Sequence, residues 1–314
     1  MNIITVTLNP AIDVHIGCEK FAPGKDTPYV VLRRDSGGKG VNISRALTYN
    51  GYDNLCYVVV GEENAQSFLA PLLELGMRVL RDTVSGSVRE NLNIHSPECD
   101  TVLAGEGVMI DKSTVALMEQ QLSPFISSDT YICFSGRITA ASDKEAIICA
   151  IEKMKNRGAK IILDSRSFNL EDLIRIKPYL IKPNAEEITE LTGEPSNTYE
   201  QAIRAGMKIF GVAAENILIT LGAGGAVYIC ESGAYTLDIP EIKSVSTTGA
   251  GDSSIAGFLV GIKLGYNLED TLKQSMAYGA AACLREGTMP PKSEDIKKLI
   301  ECVKVEKCIK CKST

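Results

Sequence analysis

Residues 244–266 read SVSTTGAGDSSIAGFLVGIKLGY, a polar turn running straight into an apolar helix. Gly249 and Gly251 let the backbone turn sharply, so successive N–H groups can aim at one point. The helix N-terminus adds partial positive charge there, and together they make an anion site suited to a phosphoryl group. Asp252 stands at the mouth of this helix, where it can take a proton from a hydroxyl nucleophile. The same residues also fit a helix merely capped after a glycine turn.

Working outward, apolar and β-branched runs at 3–9, 55–61, 130–136, 160–165, 179–184 and 216–222 predict buried strands. Helical patterns lie at 40–50, 65–76 and 143–158, each closed by a glycine, with Pro71 inside the second. Strands alternating with helices predict a mostly parallel sheet covered on both faces, an α/β three-layer sandwich. Ligands of such sheets bind beyond the carboxyl ends of the strands. Asn9-Pro10, Ser135-Gly136, Asp164, Lys182-Pro183-Asn184 and Gly222 all leave strands at that edge. Residues 11–36 and 88–103 break the alternation with short strand-like runs. They predict a small accessory sheet, a lid inserted into a single domain spanning 1–314.

Three further signals surround the first. SGGKGVNISRAL (36–47) places Gly38 and Lys39 ahead of a helix, which suits a polar or anionic ligand or a tight connection. It is neither a GxxxxGK[ST] loop nor a dinucleotide fingerprint. In IKPNAEEITEL (181–191), Asn184 and Glu187 lie three apart at a helix start. They are hard oxygen ligands for magnesium and its waters, or an N-cap and its capping-box partner. Lys182 can neutralise phosphate charge. ITLGAGGAVY (219–228) runs a strand into a glycine turn that fits nucleotide phosphates or a hairpin.

The net charge of −6 leaves no cationic excess to cover a nucleic-acid backbone. No apolar run is long enough to span a bilayer, and the N-terminal run is too short for a secretory core, so a cytoplasmic location is expected. Ten cysteines sit mostly in apolar segments and read as buried thiols; Cys308 and Cys311 form an isolated CxxC. With His15 and His95 as the only histidines, imidazole chemistry is not expected.

TLNPAID, GGKGVN, IKPNAEE, TLGAGG and TTGAGDSSIAGF follow in order from Ile3 to about Leu299. This set resembles the ribokinase-like (PfkB-type) carbohydrate kinases, in the branch of 1-phosphofructokinase and tagatose-6-phosphate kinase. The resemblance implies transfer of the ATP γ-phosphoryl group to a sugar hydroxyl, with Mg²⁺. It makes Asp252 the general base and Gly249, Ala250 and Gly251 the anion hole. Asn184 and Glu187 would organise magnesium through water, Lys182 would serve the nucleotide side, and Thr220, Gly222 and Gly225 would form the nucleotide loop. Asp13 would hold sugar hydroxyls, Gly38, Lys39 and Asn42 would form the sugar loop, and Lys25 and Arg89 would bind the acceptor's own phosphate.

The usual SGSLPxG is replaced by Ser135-Gly136-Arg137-Ile138-Thr139-Ala140, and the TRxN-like lid segment reads Val88-Arg89-Glu90-Asn91. Arg137 would clamp phosphate or reshape the pocket, and Glu90 is expected to add negative charge near the acceptor. The first expectation is a kinase of a ketohexose phosphate, fructose 1-phosphate before tagatose 6-phosphate. A kinase of an unphosphorylated sugar or nucleoside and a non-catalytic sugar-phosphate binder are the alternatives. A nicotinamide oxidoreductase would need the fingerprint turn that is missing. A lid with open strand edges is also expected to pair with a second copy as a homodimer.

Overall fold

A computed structural model describes residues 1–22, 24–98 and 100–309. The strands are β1 (Asn2–Thr7), β2 (Ala11–Gly17), β3 (Val30–Gly37), β4 (Leu55–Gly61), β5 (Val79–Val84), β6 (Arg89–His95), β7 (Asp100–Ala104), β8 (Thr130–Ser135), β9 (Lys160–Asp164), β10 (Leu180–Ile181), β11 (Ile217–Thr220), β12 (Ala226–Cys230), β13 (Gly233–Asp238) and β14 (Lys304–Ile309). The helices are α1 (Lys39–Tyr49), α2 (Ala65–Glu74), α3 (Lys112–Leu122), α4 (Lys144–Asn156), α5 (Leu170–Ile176), α6 (Ala185–Thr192), α7 (Tyr199–Ile209), α8 (Ala250–Lys263), α9 (Leu268–Ala282) and α10 (Ser293–Ile300).

Ten strands form one sheet in the order β14-β13-β12-β11-β10-β9-β8-β1-β4-β5. From β5 to β11 neighbours are parallel, and β12, β13 and β14 add an antiparallel margin. Successive side chains of a strand point to opposite faces. Accordingly Ile4, Val6 and Ile132 pack with α3, α4 and α7, whereas Ile3, Tyr131 and Cys133 pack with α1, α8 and α9. Both faces are therefore buried, and the three-layer α/β arrangement expected from the alternation is the one observed. A second sheet of four strands, β3-β2-β6-β7, draws on both of the inserted segments. Its Ile12, Val14 and Ile16 pack toward Val58, Phe68 and Leu72 of β4 and α2.

Two local expectations need adjustment. The run 179–184 keeps only two residues in a regular strand, because Pro183 has no N–H to donate and Asn184 already caps α6. Helix α2 continues through Pro71. Pro71 and Ser67, whose carbonyl loses its intrahelical partner, both face solvent, so water can replace that bond. Of the CxxC, Cys308 is an exposed residue of β14, and Cys311 lies outside the described residues. Among the described residues no helix is long and apolar enough to cross a membrane.

Candidate active site

Helices α1 and α8 bring their N-termini together at the carboxyl edge of the parallel strands. Helix α8 starts after Gly249, whose φ of 80° is left-handed and suits a residue without Cβ. Asp252 occupies the first turn of α8 and is buried. Asn42, in the opening turns of α1, donates from Nδ2 to Asp252 Oδ2 at 2.8 Å. The link joins residues 210 positions apart and fixes the carboxylate between two positive helix ends.

Beneath this pair lies Asp164, the last residue of β9, with 1% of its side chain exposed. Lys39 donates to its Oδ1 at 2.9 Å, and Lys182 lies 3.5 Å from the same atom. Lys182 also abuts the α8 turn: a Cβ on Gly251 would sit 3.0 Å from its Nζ. The two buried carboxylates are driven apart. Burial, then the Asp164 charge, pushes Asp252 up to about 6, against the pull of Asn42, Lys39 and Lys182. Burial would also raise Asp164, but Lys182 and Lys39 outweigh it and hold that carboxyl below its ordinary value. Burial works against the charge of Lys39, and the Asp164 and Asp252 charges more than restore it. A pair separated in this way leaves one group able to take up a proton near neutrality while the other stays ionised.

A cleft of about 440 Å³ opens on one side of α8. Thr220, Gly222, Gly225 and Asn184 line it together with Ala250 and Gly251, the residues just before Asp252. The glycine turn is also a hairpin, since β11 and β12 pair from Thr220 and Ala226 back to Ile217 and Ile229. Asn184 and Glu187 form a capping box on α6: Asn184 Oδ1 accepts from Glu187 N at 2.8 Å, and Glu187 Oε2 accepts from Asn184 N at 2.9 Å. Glu187 Oε1 stands outside that box and accepts from Arg166 Nε at 3.0 Å.

On the other side the lid supplies Asp13 from β2 and Arg89 from β6. Asn91 donates from Nδ2 to Asp13 Oδ1 at 2.8 Å across the β2–β6 pair. Burial raises the Asp13 carboxyl, opposed by Asn91, His15 and Arg89. Burial also lowers Arg89; the Asp13 charge opposes this and the neighbouring Arg137 adds to it. Arg89 Nη1 donates to Gly105 O at 3.3 Å, but its buried Nε has no partner among the described residues. Gly38 precedes α1 beside Pro10, which brings the sugar-loop residues of the sequence reading against the β1 end. Lys25 stands apart, exposed between β2 and β3, and among the described residues no hydrogen bond or ion pair ties its side chain to the cleft. Glu90 is a correction: it lies on the opposite face of the lid from Arg89 and Asn91 and pairs with Arg34 at 2.9 Å.

Three residues of this geometry escaped assignment from the sequence. Asn91 was within reach of period-two reasoning, because it follows Arg89 by two in a strand. Asp164 was visible only as a carboxylate ending a buried strand. Nothing local marked Arg166.

The pattern of the "pfkB family carbohydrate kinase" family matches residues 11–295. The chain belongs to the PfkB family of carbohydrate kinases. Relatives named 1-phosphofructokinase occur in Bacillus subtilis, at 29% identity over 90% of this chain and 93% of that protein, and in Borreliella burgdorferi, at 28% over 97% and 98%. The fold matches phosphofructokinase-2 from Escherichia coli, crystallised with substrates and products, at a TM-score of 0.88 and 23% identity, covering 96% of this chain and 99% of that one. Membership makes the protein an enzyme, a phosphotransferase acting on carbohydrate.

Proposed function

We propose that this PfkB enzyme transfers the γ-phosphoryl group of ATP to fructose 1-phosphate, giving fructose 1,6-bisphosphate. The observation that carries the reading is the buried Asp252, raised toward neutrality and held by Asn42 between two helix mouths. The relatives named 1-phosphofructokinase favour this acceptor. Asp252 takes the hydroxyl proton as the acceptor oxygen bonds to the γ-phosphorus and the bridging P–O bond to ADP breaks. In this reading the backbone N–H groups of Gly249, Ala250 and Gly251 meet the oxygens of the migrating group, Ala250 N giving up its 3.4 Å bond to Thr247 O, and Lys182 beside Gly251 balances charge. Thr220, Gly222 and Gly225 hold the nucleotide in the cleft that they line.

The residues present fit a divalent cation delivered with the nucleotide. Among the described residues no cluster of three or more His, Cys, Asp or Glu forms a ready cage. Magnesium keeps several waters and needs few carboxylates beyond substrate phosphate. Glu187 Oε1 lies outside its capping box, and Asp164 Oδ2 is buried without a partner among the described residues. Glu187, with Asn184, would hold the hydrated ion, which when bound offsets phosphate charge.

Asp13, oriented by Asn91, accepts hydrogen bonds from the sugar hydroxyls, with Gly38, Lys39 and Asn42 along the adjacent α1 edge. Arg89, Arg137 and, once the lid closes, Lys25 meet the acceptor's phosphate. The enzyme is read as one cytoplasmic kinase domain carrying this lid. Val30, Val31 and Leu32 on the β3 edge are 63, 49 and 59% exposed, and pairing with a second copy would cover them. A panel of acceptors with ADP detection tests the substrate. Turnover of fructose 1-phosphate above tagatose 6-phosphate is expected, whereas turnover of ribose or adenosine alone overturns the reading.

A further inference from the structure

The carboxylate proposed to organise the hydrated cation is already engaged by a cation of the chain itself. Arg166 reaches back from the loop after β9 and donates Nε–H to Glu187 Oε1 at 3.0 Å. Its Nη2 donates to Glu186 on the same helix. The capping box holds Glu187 Oε2, so the box and Arg166 together use both carboxylate oxygens. Glu187 is 13% exposed and Arg166 46%, so the carboxylate is fixed while its partner has a path to solvent. The loop follows Asp164, the end of β9, and its Ser165 and Arg166 line a pocket of about 200 Å³ with Lys182 and Glu187.

We infer that Arg166 is a built-in counter-ion that competes with the divalent cation for Glu187 and so raises the metal concentration the enzyme needs. This rests on the assignment of Glu187 to the cation. A guanidinium on Oε1 cancels the charge that a hydrated dication requires there, and the ion can be organised only when Arg166 releases it. The release is reversible because Glu186 gives the arginine a second anchor at the helix start. Arg166 acts through Glu187, as a positioning residue. A half-exposed ion pair is a modest competitor, so its loss should shift metal affinity by about two- to fivefold.

The test is binding of Mn²⁺ to the full-length enzyme with a non-hydrolysable ATP analogue, followed by electron paramagnetic resonance, in wild type and Arg166→Gln. The variant is expected to bind Mn²⁺ about two- to fivefold more tightly, and Arg166→Lys should fall between it and wild type. In steady state, the Mg²⁺ concentration for half-maximal rate should drop by the same factor, with kcat at saturating Mg²⁺ little changed. Glu186→Gln, which removes only the second anchor, should move binding in the same direction by less. Equal Mn²⁺ binding in wild type and Arg166→Gln overturns the inference. So does weaker binding with lower kcat, which would place the guanidinium on the nucleotide phosphates instead. Because Mn²⁺ is read without any sugar phosphate, these outcomes stand whichever acceptor the panel identifies.

Discussion

In the buried centre two lysines share one carboxylate, whereas at the lid margin Arg89 keeps a buried Nε without a partner among the described residues while Arg137 adds a second positive charge. The centre is tied together before any substrate arrives, although Asp164 Oδ2 and Asn42 Oδ1 are buried without a partner among the described residues. Lys39, Lys182, Asp164, Asn42 and Asp252 hold one another through bonds between distant parts of the chain, so no reorganisation is needed as charge moves. The margin is tied more loosely, Arg89 reaching only Gly105 O, at 3.3 Å from Nη1. Its cations repel each other until an anion settles between them, and the cost of leaving Arg89 Nε unpaired is recovered only then. In the proposed reading, chemistry is thus built into the main sheet and its helices, and recognition is hung on the small sheet.

The largest break in this comparison comes from the centre. Asp252→Asn keeps the shape and the contact region of Asn42 but removes the base. We expect kcat to fall by on the order of 10²–10⁴-fold with nucleotide affinity nearly intact, measured by steady-state rates and by calorimetry with ATP. A variant with wild-type kcat would remove Asp252 from the mechanism. Acidity probes the same centre more gently. The base works as its carboxylate, and that form prevails only above about 6. Therefore kcat/KM should decline about tenfold per pH unit below that point. Asp164→Asn takes away a like charge and leaves Lys39 and Lys182 free to act on Asp252. Both changes favour the ionised form, so the acid limb should move to lower pH; movement to higher pH would show that Asp164 does not raise Asp252.

The same contrast explains what the sequence could and could not reveal. The α8 turn and the Asn184–Glu187 spacing are local patterns, and a helix mouth or a capping box is formed by residues within a few positions. The parallel strands were legible because burial on both faces makes each an unbroken apolar run. Edge strands lack that mark. β5 reads VLRDTV and β14 KVEKCI, with Arg81 and Thr83 of the one and Lys304, Glu306 and Lys307 of the other facing solvent, so neither stood out as a strand. The Lys39–Asp164 contact spans 125 positions and the Asn42–Asp252 contact 210, and no window of sequence contains either. The resemblance to a family could name Asp252 and Lys39, yet the carboxylate that links Lys39 to Lys182 emerged only from the packing. Glu90 was misjudged for the opposite reason. Its neighbours in sequence are those proposed to meet the acceptor, but in a strand adjacent residues face apart.

That error supplies the finest test of the margin. Arg89 and Glu90 are consecutive in β6; Arg89 shares a face with Asp13 and Asn91, while Glu90 is tied to Arg34 on the other. Arg89→Ala removes a charge-assisted hydrogen bond to the acceptor phosphate and should raise the acceptor KM about tenfold or more, with a smaller change in kcat. Glu90→Gln removes one half of an exposed ion pair, with side chains 43 and 54% accessible, and should leave KM and kcat within about twofold. If Glu90 lay near the acceptor phosphate, the same change would instead lower KM, because a repelling charge would be gone. Steady-state kinetics of the two single variants therefore separate the faces of one strand, and a clear KM decrease in Glu90→Gln would reverse the orientation assigned to the lid.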